Sequence, residues 1–321
     1  MTHIARQIMT LREKLNGFLR LPDRFFGIPE PEDHVDPDVG VLGVPYDLTS
    51  GYAPGCRFGP DAIRRATTAV RSHSQPPVVR ESRYVRRPLL TESLALEDIG
   101  DLEVDLRLPE AAMYDISDAV YRLAPHESHL LFLGGDHFIT YPLLKGLTRG
   151  RPGVYGLVWF DAHADFYADY GGYKLSHATS LRRIVTDGIV SRNNIIAHDL
   201  RAALHDQVEE LFEEKEPVVR DLDSFRESVQ ELAQRVDYIY VTVDLDVLRP
   251  EVVPGVSHPE SGGLTPEELF KFLRACFETG SVRYADVVEL NPLIDHSGLA
   301  AITARDVVKE ILAGFALQKT L

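Results

Sequence analysis

The sequence predicts an α/β fold of three layers, α/β/α, in which helices cover both faces of a mostly parallel β-sheet. Two observations predict this fold. Short apolar runs recur along the 321-residue chain, and each is followed by a polar or glycine-rich turn and then by a helical pattern. Several runs, such as 130–133 and 154–160, are apolar on both faces, which is typical of strands in a parallel sheet that is covered on both sides.

The individual elements follow this alternation. We expect strands at 41–45, 94–99, 129–133, 154–160, 194–197, 238–243 and 284–290. We expect helices at 60–70, 266–277 and 299–317. Thr265 precedes the second of these helices and Glu268 follows three residues later, which is the pattern of a capping box.

The chain has no linker rich in glycine, serine or proline. Residues 36–321 are therefore expected to form a single domain. Residues 1–35 are interpreted as an N-terminal extension whose short helix, of mixed charge, packs on the body or on a neighbouring subunit. Residues 75–88 are expected to form a surface loop.

Composition excludes several classes of function. Lysine and arginine number 34 against 49 aspartates and glutamates, so the net charge is −15, which disfavours nucleic acid and anionic membrane surfaces as partners. No apolar run approaches the roughly 20 residues of a membrane-spanning helix. The two cysteines, Cys56 and Cys276, do not suggest a disulfide framework, and the expected location is the cytoplasm.

Acidic residues and histidines follow four of the predicted strands at the point where each strand ends. Because the carboxyl ends of parallel strands meet at one edge of a sheet, we expect these side chains to lie close together. Alternate residues of an extended chain point the same way, so Asp161 with His163, and Asp244 with Asp246, can each direct two ligands to one point. The candidate metal ligands are His137, Asp161, His163, Asp165, Asp244 and Asp246. Any one of them alone is more simply a helix cap or a turn residue, and only their joint occurrence indicates a site.

This set of ligands predicts more than one cation. Four buried carboxylates repel one another unless cations neutralise them, and two divalent ions that share bridging carboxylates would do so. Oxygen and imidazole ligands without a thiolate favour Mn²⁺ over structural zinc, although nickel, cobalt and iron also fit these ligand types.

The same motifs resemble those of the ureohydrolase family of arginases, agmatinases and guanidino-acid hydrolases. Three segments match its metal motifs, namely GGDH at 134–137, DAHAD at 161–165 and DLD at 244–246. The resemblance extends to GVPY at 43–46, PGCRFGPDAIR at 54–64, SHAT at 176–179 and DVVELNP at 286–292. It runs from about residue 41 to the last helix and is closest in motif to agmatinases and guanidino-acid hydrolases.

The resemblance implies an arginase-like fold with a sheet of about eight strands. It also implies two Mn²⁺ ions per subunit and a homo-trimer or homo-hexamer. The implied reaction is hydrolysis of a linear guanidino compound, agmatine or a guanidino acid, to an amine and urea by a metal-bridging hydroxide. Asp165 would orient this hydroxide, Glu289 would hold the guanidinium in a bidentate pair, and His177 would carry a proton to the leaving amine.

Some segments depart from the agmatinase pattern and leave the substrate open between agmatine, guanidinobutyrate and guanidinopropionate. PGVSHP at 254–259 stands where agmatinases usually read PGTGTP, and it is similar to formiminoglutamase. Ala178 replaces a usual glycine, and HDLR stands at 198–201 where a Gly-Ile-Arg pattern is common. A formiminoglutamase-like hydrolase that releases formamide and a non-catalytic homologue are the alternatives. His198 and His258 are expected to be pocket-wall or surface residues, and either could recognise a carboxylate tail if it reaches the pocket.

Overall fold

The computed structural model describes residues 11–15, 17–20, 25–28, 36–67, 90–104, 108–212 and 221–321. The predicted loop at 75–88 and most of the extension at 1–35 lie outside these ranges.

One sheet organises the described chain. Its strands are β1 Leu19–Arg20, β2 Val39–Val44, β3 Leu96–Leu102, β4 His129–Gly134, β5 Tyr155–Phe160, β6 Ile195–His198, β7 Tyr238–Asp244 and β8 Val282–Val288. Their order across the sheet is β1-β3-β2-β4-β8-β7-β5-β6. Strands β2 to β8 run parallel to their neighbours, and the two-residue β1 pairs antiparallel with β3 at one edge. The predicted α/β fold is therefore confirmed, with seven parallel strands plus this short edge strand.

Helices connect the strands. They are α1 Leu11–Lys14, α2 Gly59–Ala66, α3 Leu90–Ser93, α4 Pro109–Leu123, α5 Thr140–Gly150, α6 Ser180–Thr186, α7 His205–Phe212, α8 Leu222–Arg235, α9 Pro266–Phe277 and α10 Leu299–Gln318. The capping box of α9 is present, because the Thr265 side chain accepts from the Glu268 backbone and the Glu268 side chain accepts from the Thr265 backbone. None of the helices in the described ranges combines the length and the apolar character that crossing a bilayer requires.

The continuous apolar character of the central strands has a simple cause. Successive residues of β4 alternate between two buried clusters: Leu131 and Leu133 pack into one, and Leu130 and Phe132 pack into the other. Because each face of the sheet is covered by helices, both sets of side chains must be apolar. The sheet therefore separates two cores and provides a rigid base for the residues at its edge.

The topology places four strand ends side by side. Strands β4, β8, β7 and β5 are consecutive neighbours in the middle of the sheet. Their ends are level, since Asp244 at the end of β7 lies opposite Val288 at the end of β8, and Phe160 at the end of β5 lies opposite Val243. The residues that follow these strands consequently share one small region, which is where the sequence predicts the metal ligands.

Candidate active site

The first group of ligands surrounds His137. Its Nδ1 atom lies 2.9 Å from Asp161 Oδ2, 3.3 Å from Asp165 Oδ2 and 3.2 Å from Asp244 Oδ2. These residues come from three different strand ends, and all four side chains are buried. The site is therefore a product of the sheet topology.

The second group surrounds His163. Its Nδ1 atom lies 2.8 Å from Asp246 Oδ2 and 3.5 Å from Asp161 Oδ1. Asp161 thus presents one carboxylate oxygen to each group, which is the arrangement of a bridging ligand. The structure brings all six predicted ligands together. Two sets among them, His137–Asp161–Asp165 and Asp161–His163–Asp246, each place their ligand atoms within 4.8 Å of one another, close enough to hold a metal ion.

The hydrogen bonds of His137 test whether cations fit between these groups. The Thr242 hydroxyl donates to Asp286 Oδ1, so its lone pairs are available to accept from His137 Nε2 at 2.9 Å. With its hydrogen on Nε2, the ring directs the lone pair of Nδ1 toward carboxylate oxygens, and among the described residues Nδ1 has no hydrogen-bond partner. A divalent ion placed between these atoms would accept the lone pairs of the ring and of the carboxylates together, so the residues fit a divalent metal.

The carboxylates lead to the same conclusion. Burial raises the pKa of Asp165 and of Asp244 well above the usual range, and the charge of Asp161 raises both further. Burial and the charge of Asp161 also raise the pKa of Asp246. Four ionised carboxyl groups in this space are therefore unfavourable unless positive charge is supplied there.

Neighbouring side chains fix the orientation of these ligands. The indole Nε1 of Trp159 donates to Asp161 Oδ2 at 3.0 Å, and the Trp159 ring stacks on the His137 ring with centroids 4.0 Å apart. The backbone N–H of Asp246 donates to Asp244 Oδ1 at 2.9 Å. Asp165 has a φ of 48°, a left-handed conformation that an aspartate rarely adopts and that is typical of functional sites.

Glu289 follows β8 and is also left-handed, with a φ of 66°. Its backbone N–H donates to the carbonyl of Gly135 at 2.9 Å. Gly135 must be glycine, because a Cβ atom there would overlap the carbonyl oxygen of Tyr46. This close packing explains the glycine at position 135.

Both carboxylate oxygens of Glu289 are held in place. Oε1 accepts from the backbone N–H of His137 at 2.8 Å, and Oε2 accepts from the Cys56 thiol at 3.2 Å. Burial raises the pKa of Glu289 to about 7, although these two hydrogen bonds oppose the shift. Each oxygen retains a further lone pair, so the group can still accept two parallel N–H donors.

His177 is oriented by Thr49. Its Nδ1 atom lies 2.7 Å from the Thr49 carbonyl oxygen, which can only accept, so Nδ1 carries the hydrogen and Nε2 has a free lone pair. Asp136 holds Thr49 in turn, accepting from its backbone N–H at 3.1 Å and from its hydroxyl at 2.6 Å. Burial lowers the pKa of His177 to about 4, and the adjacent His258 contributes. The ring is therefore uncharged at neutral pH.

These groups border a cavity of about 180 Å³. Its lining includes Glu289, His177 and four of the six predicted metal ligands, together with Tyr167, Tyr170, Gln207 and His258. His258 is therefore a pocket-wall residue, which is one of the two positions, pocket wall or surface, expected from the sequence. His198 is a core residue instead, since its ring is buried and packs against Phe272 with centroids 4.1 Å apart.

Sequence reasoning did not identify the supporting residues Thr242, Asp286, Trp159, Thr49 and Gln207. Thr242 and Trp159 each precede a metal ligand by two residues, so strand alternation could have placed them on the same face as that ligand. The sequence presents Cys56 as one of two cysteines and as part of the motif at 54–64, and neither observation predicts a contact with Glu289. Its proximity to Glu289 joins residues 233 positions apart, and no local pattern indicates it.

Comparison with known proteins agrees with this geometry. The model of the arginase family matches residues 37–314. The agmatinase of Bacillus subtilis (strain 168) is 30% identical over 281 residues, which cover 87% of this chain and 92% of that protein. The agmatinase of Neisseria meningitidis serogroup B (strain MC58) is 32% identical over 306 residues, covering 92% of this chain and 91% of that protein.

Solved structures show the same similarity. Proclavaminate amidino hydrolase from Streptomyces clavuligerus superimposes with a TM-score of 0.77 at 26% identity, covering 93% of this chain and 98% of that one. Formimidoylglutamase from Bacillus subtilis has a TM-score of 0.76 at 21% identity over 99% of this chain and 95% of that one, which shows the shared fold alone. Since the family match spans most of the chain and the relatives are similar over nearly their whole length, the chain belongs to the arginase family of ureohydrolases.

Proposed function

We propose that this protein is a binuclear-metal amidinohydrolase that cleaves a linear guanidino compound to an amine and urea. One observation carries the proposal: Glu289, His177 and four of the predicted metal ligands line the same cavity. Membership of the arginase family supports a hydrolase that acts on C–N bonds. The proposal goes beyond family membership in two respects, the guanidino substrate and the identity of the metal as Mn²⁺.

The two groups of ligands would hold the cations. Divalent ions bound there would neutralise the buried carboxylates and lower the pKa of a coordinated water toward neutrality. Ligands of carboxylate oxygen and imidazole nitrogen suit Mn²⁺, and they also accommodate Ni²⁺.

Glu289 is suited to hold the guanidinium group. A guanidinium presents two parallel N–H donors, and a carboxylate accepts both in a bidentate pair. Because the His137 backbone and the Cys56 thiol already hold the carboxylate, the pair would form with little loss of side-chain freedom. Such a clamp keeps the guanidinium carbon in one position relative to the attacking water, which makes the attack nearly intramolecular.

His177 and Asp165 are suited to handle the water and its protons. Asp165 would accept a hydrogen bond from the attacking water and orient it. His177 would take a proton at Nε2 and deliver it to the departing amine, because its Nδ1–H is committed to the Thr49 carbonyl.

A substrate panel tests the proposal. Protein loaded with Mn²⁺, and in parallel with Ni²⁺, is incubated with agmatine, 4-guanidinobutyrate, 3-guanidinopropionate and formiminoglutamate. We expect urea from at least one guanidino compound. The segment at 254–259, which differs from the agmatinase pattern, favours formiminoglutamate as the second candidate, and formamide as the only product would select it.

The remaining alternative is a homologue without activity. Elemental analysis after loading with Mn²⁺ distinguishes it, because the proposal requires two metal equivalents per chain. Protein that binds no transition metal and turns over none of these compounds would contradict the proposal.

We also propose that the protein assembles into a homo-trimer or homo-hexamer, as the family resemblance implies. Light scattering coupled to size-exclusion chromatography measures the mass directly. A mass of one 36.0-kDa chain would contradict this part of the proposal.

A further inference from the structure

Two side chains of the cavity wall have nitrogen atoms without a hydrogen-bond partner in the part of the chain that the structure describes. His258 lies in the segment that differs from agmatinases, and its ring stacks on His177 with centroids 5.0 Å apart and planes 17° apart. Gln207 lies in the first turn of α7 and is 7% exposed. Both residues line the cavity, and Nε2 of each is buried without a hydrogen-bond partner among the described residues.

The orientation of the Gln207 amide is determined by a hydrogen bond. The backbone N–H of Leu204 donates to Gln207 Oε1 at 3.3 Å, so the oxygen is the end that faces the backbone. The unbonded end is therefore the NH₂ group, which can only donate. Buried polar groups of folded proteins nearly always have a partner, so two unsatisfied nitrogens on residues of one cavity wall call for an acceptor there, which a ligand can supply.

The partner must accept hydrogen bonds. An amino group on a substrate tail would direct its N–H donors at the N–H donors of Gln207. A carboxylate has four lone pairs and can accept from Gln207 and from the Nε2–H tautomer of His258. Among the described lining residues there is no lysine or arginine, so uncharged donors are the groups available to recognise such a tail.

We propose that Gln207 and His258 form a subsite that binds the carboxylate tail of a guanidino acid and selects it over an amine tail. The inference rests on the proposed function, since it concerns the far end of the same substrate. Glu289 would hold the guanidinium end, and this subsite would hold the acid end.

A matched pair of substrates tests the inference. Agmatine and 4-guanidinobutyrate have the guanidinium at the same distance from an amine or a carboxylate, and n-butylguanidine has neither group. We expect kcat/KM of the wild type to be about tenfold or more higher for 4-guanidinobutyrate than for agmatine, as loss of a hydrogen bond to a charged group implies.

The variant Gln207→Glu keeps the shape of the side chain and replaces the donor by an acceptor. We expect it to reverse the preference, with lower kcat/KM for 4-guanidinobutyrate and higher kcat/KM for agmatine. His258→Phe keeps the ring and removes the nitrogens, and it should reduce the preference through KM more than through kcat. Gln230→Glu makes the same chemical change at an exposed position of α8 and is the control.

Two results would overturn the inference: a wild type that prefers agmatine, or variants that change all three substrates by the same factor. Absence of urea from every guanidino compound would refute the proposed function instead. In that case calorimetry with 4-aminobutyrate and 1,4-diaminobutane decides the subsite separately. The subsite is supported if the wild type binds 4-aminobutyrate more tightly than 1,4-diaminobutane and Gln207→Glu reverses this preference. It is contradicted if wild type and variant each bind the two compounds equally well.

Discussion

The thiol of Cys56 gives the sharpest test of how Glu289 works. Its sulfur lies 3.2 Å from Glu289 Oε2 and 3.0 Å from the Ser257 hydroxyl, and the residue is fully buried. The Ser257 hydroxyl donates to the Ala53 carbonyl at 2.8 Å, and of the two groups beside the sulfur the Glu289 carboxylate is the stronger acceptor for the thiol hydrogen. The S–H hydrogen of Cys56 is then directed to Glu289. Cys56 is accordingly a positioning residue for the carboxylate that would clamp the substrate.

The expected rise in KM on removal of the Cys56 thiol follows from this single hydrogen bond. Hydrogen bonds to charged groups contribute about 1.5–3 kcal/mol, and a thiol is a weak donor, so the lower value of about 1.5 kcal/mol applies. This corresponds to roughly tenfold in affinity. Cys56→Ala should therefore raise KM for the guanidino substrate about tenfold, with a smaller change in kcat, because Glu289 contacts the substrate before the reaction begins.

The assay compares three variants in steady-state urea release. Cys56→Ser keeps a donor and should restore most of the KM lost in Cys56→Ala. Cys276→Ala removes the other buried thiol, on α9, and controls for the loss of packing alone. Equal KM values for Cys56→Ala and Cys56→Ser, or an equal rise in KM for Cys276→Ala, would refute the reasoning.

Four further measurements test the site and its surroundings. His177→Asn should lower kcat by about 10²-fold or more while metal content stays at the wild-type level, and unchanged turnover would remove His177 from proton transfer. Thr242→Val removes the acceptor for His137 Nε2 and should weaken metal binding about 10–100-fold. A competition titration with a chelator measures this affinity, and an unaltered value would contradict the role assigned to Thr242. Chelation should lower the melting temperature, because two sites each filled at 100 times Kd contribute about 2.7 kcal/mol apiece, and equal melting with and without metal would exclude this linkage. His129 stacks on Phe315, and burial lowers the pKa of His129 from 6.5 to about 4. Between these pH values the unfolded chain binds a proton that the folded chain does not, so the free energy of unfolding should fall as pH drops from 6.5 to 4. Denaturant titrations of His129→Phe should show a weaker fall over the same pH range.

The sequence alone determined the features that depend on local pattern. Runs such as 129–133 and 238–243 predict strands because residues apolar on both faces are required between two layers of helices. The candidate metal ligands follow from the sequence because acids and histidines come directly after the ends of parallel strands, which meet at one edge of a sheet. These inferences need only the period of a strand and the chemistry of a side chain.

The tertiary structure decided the contacts between distant segments. The order of the strands places β8 between β4 and β7, and this order brings Glu289 next to Cys56 and His137. Tertiary contacts also determine where the ring hydrogens lie, because His177 Nδ1 donates to Thr49, which is far away in the chain. Burial leaves His137 Nδ1 and the Gln207 amide nitrogen without hydrogen-bond partners among the described residues. Hydrogen-bond partners and burial are properties of the packed chain, since the free energy of a polar group depends on what surrounds it, and periodicity carries no information about those surroundings.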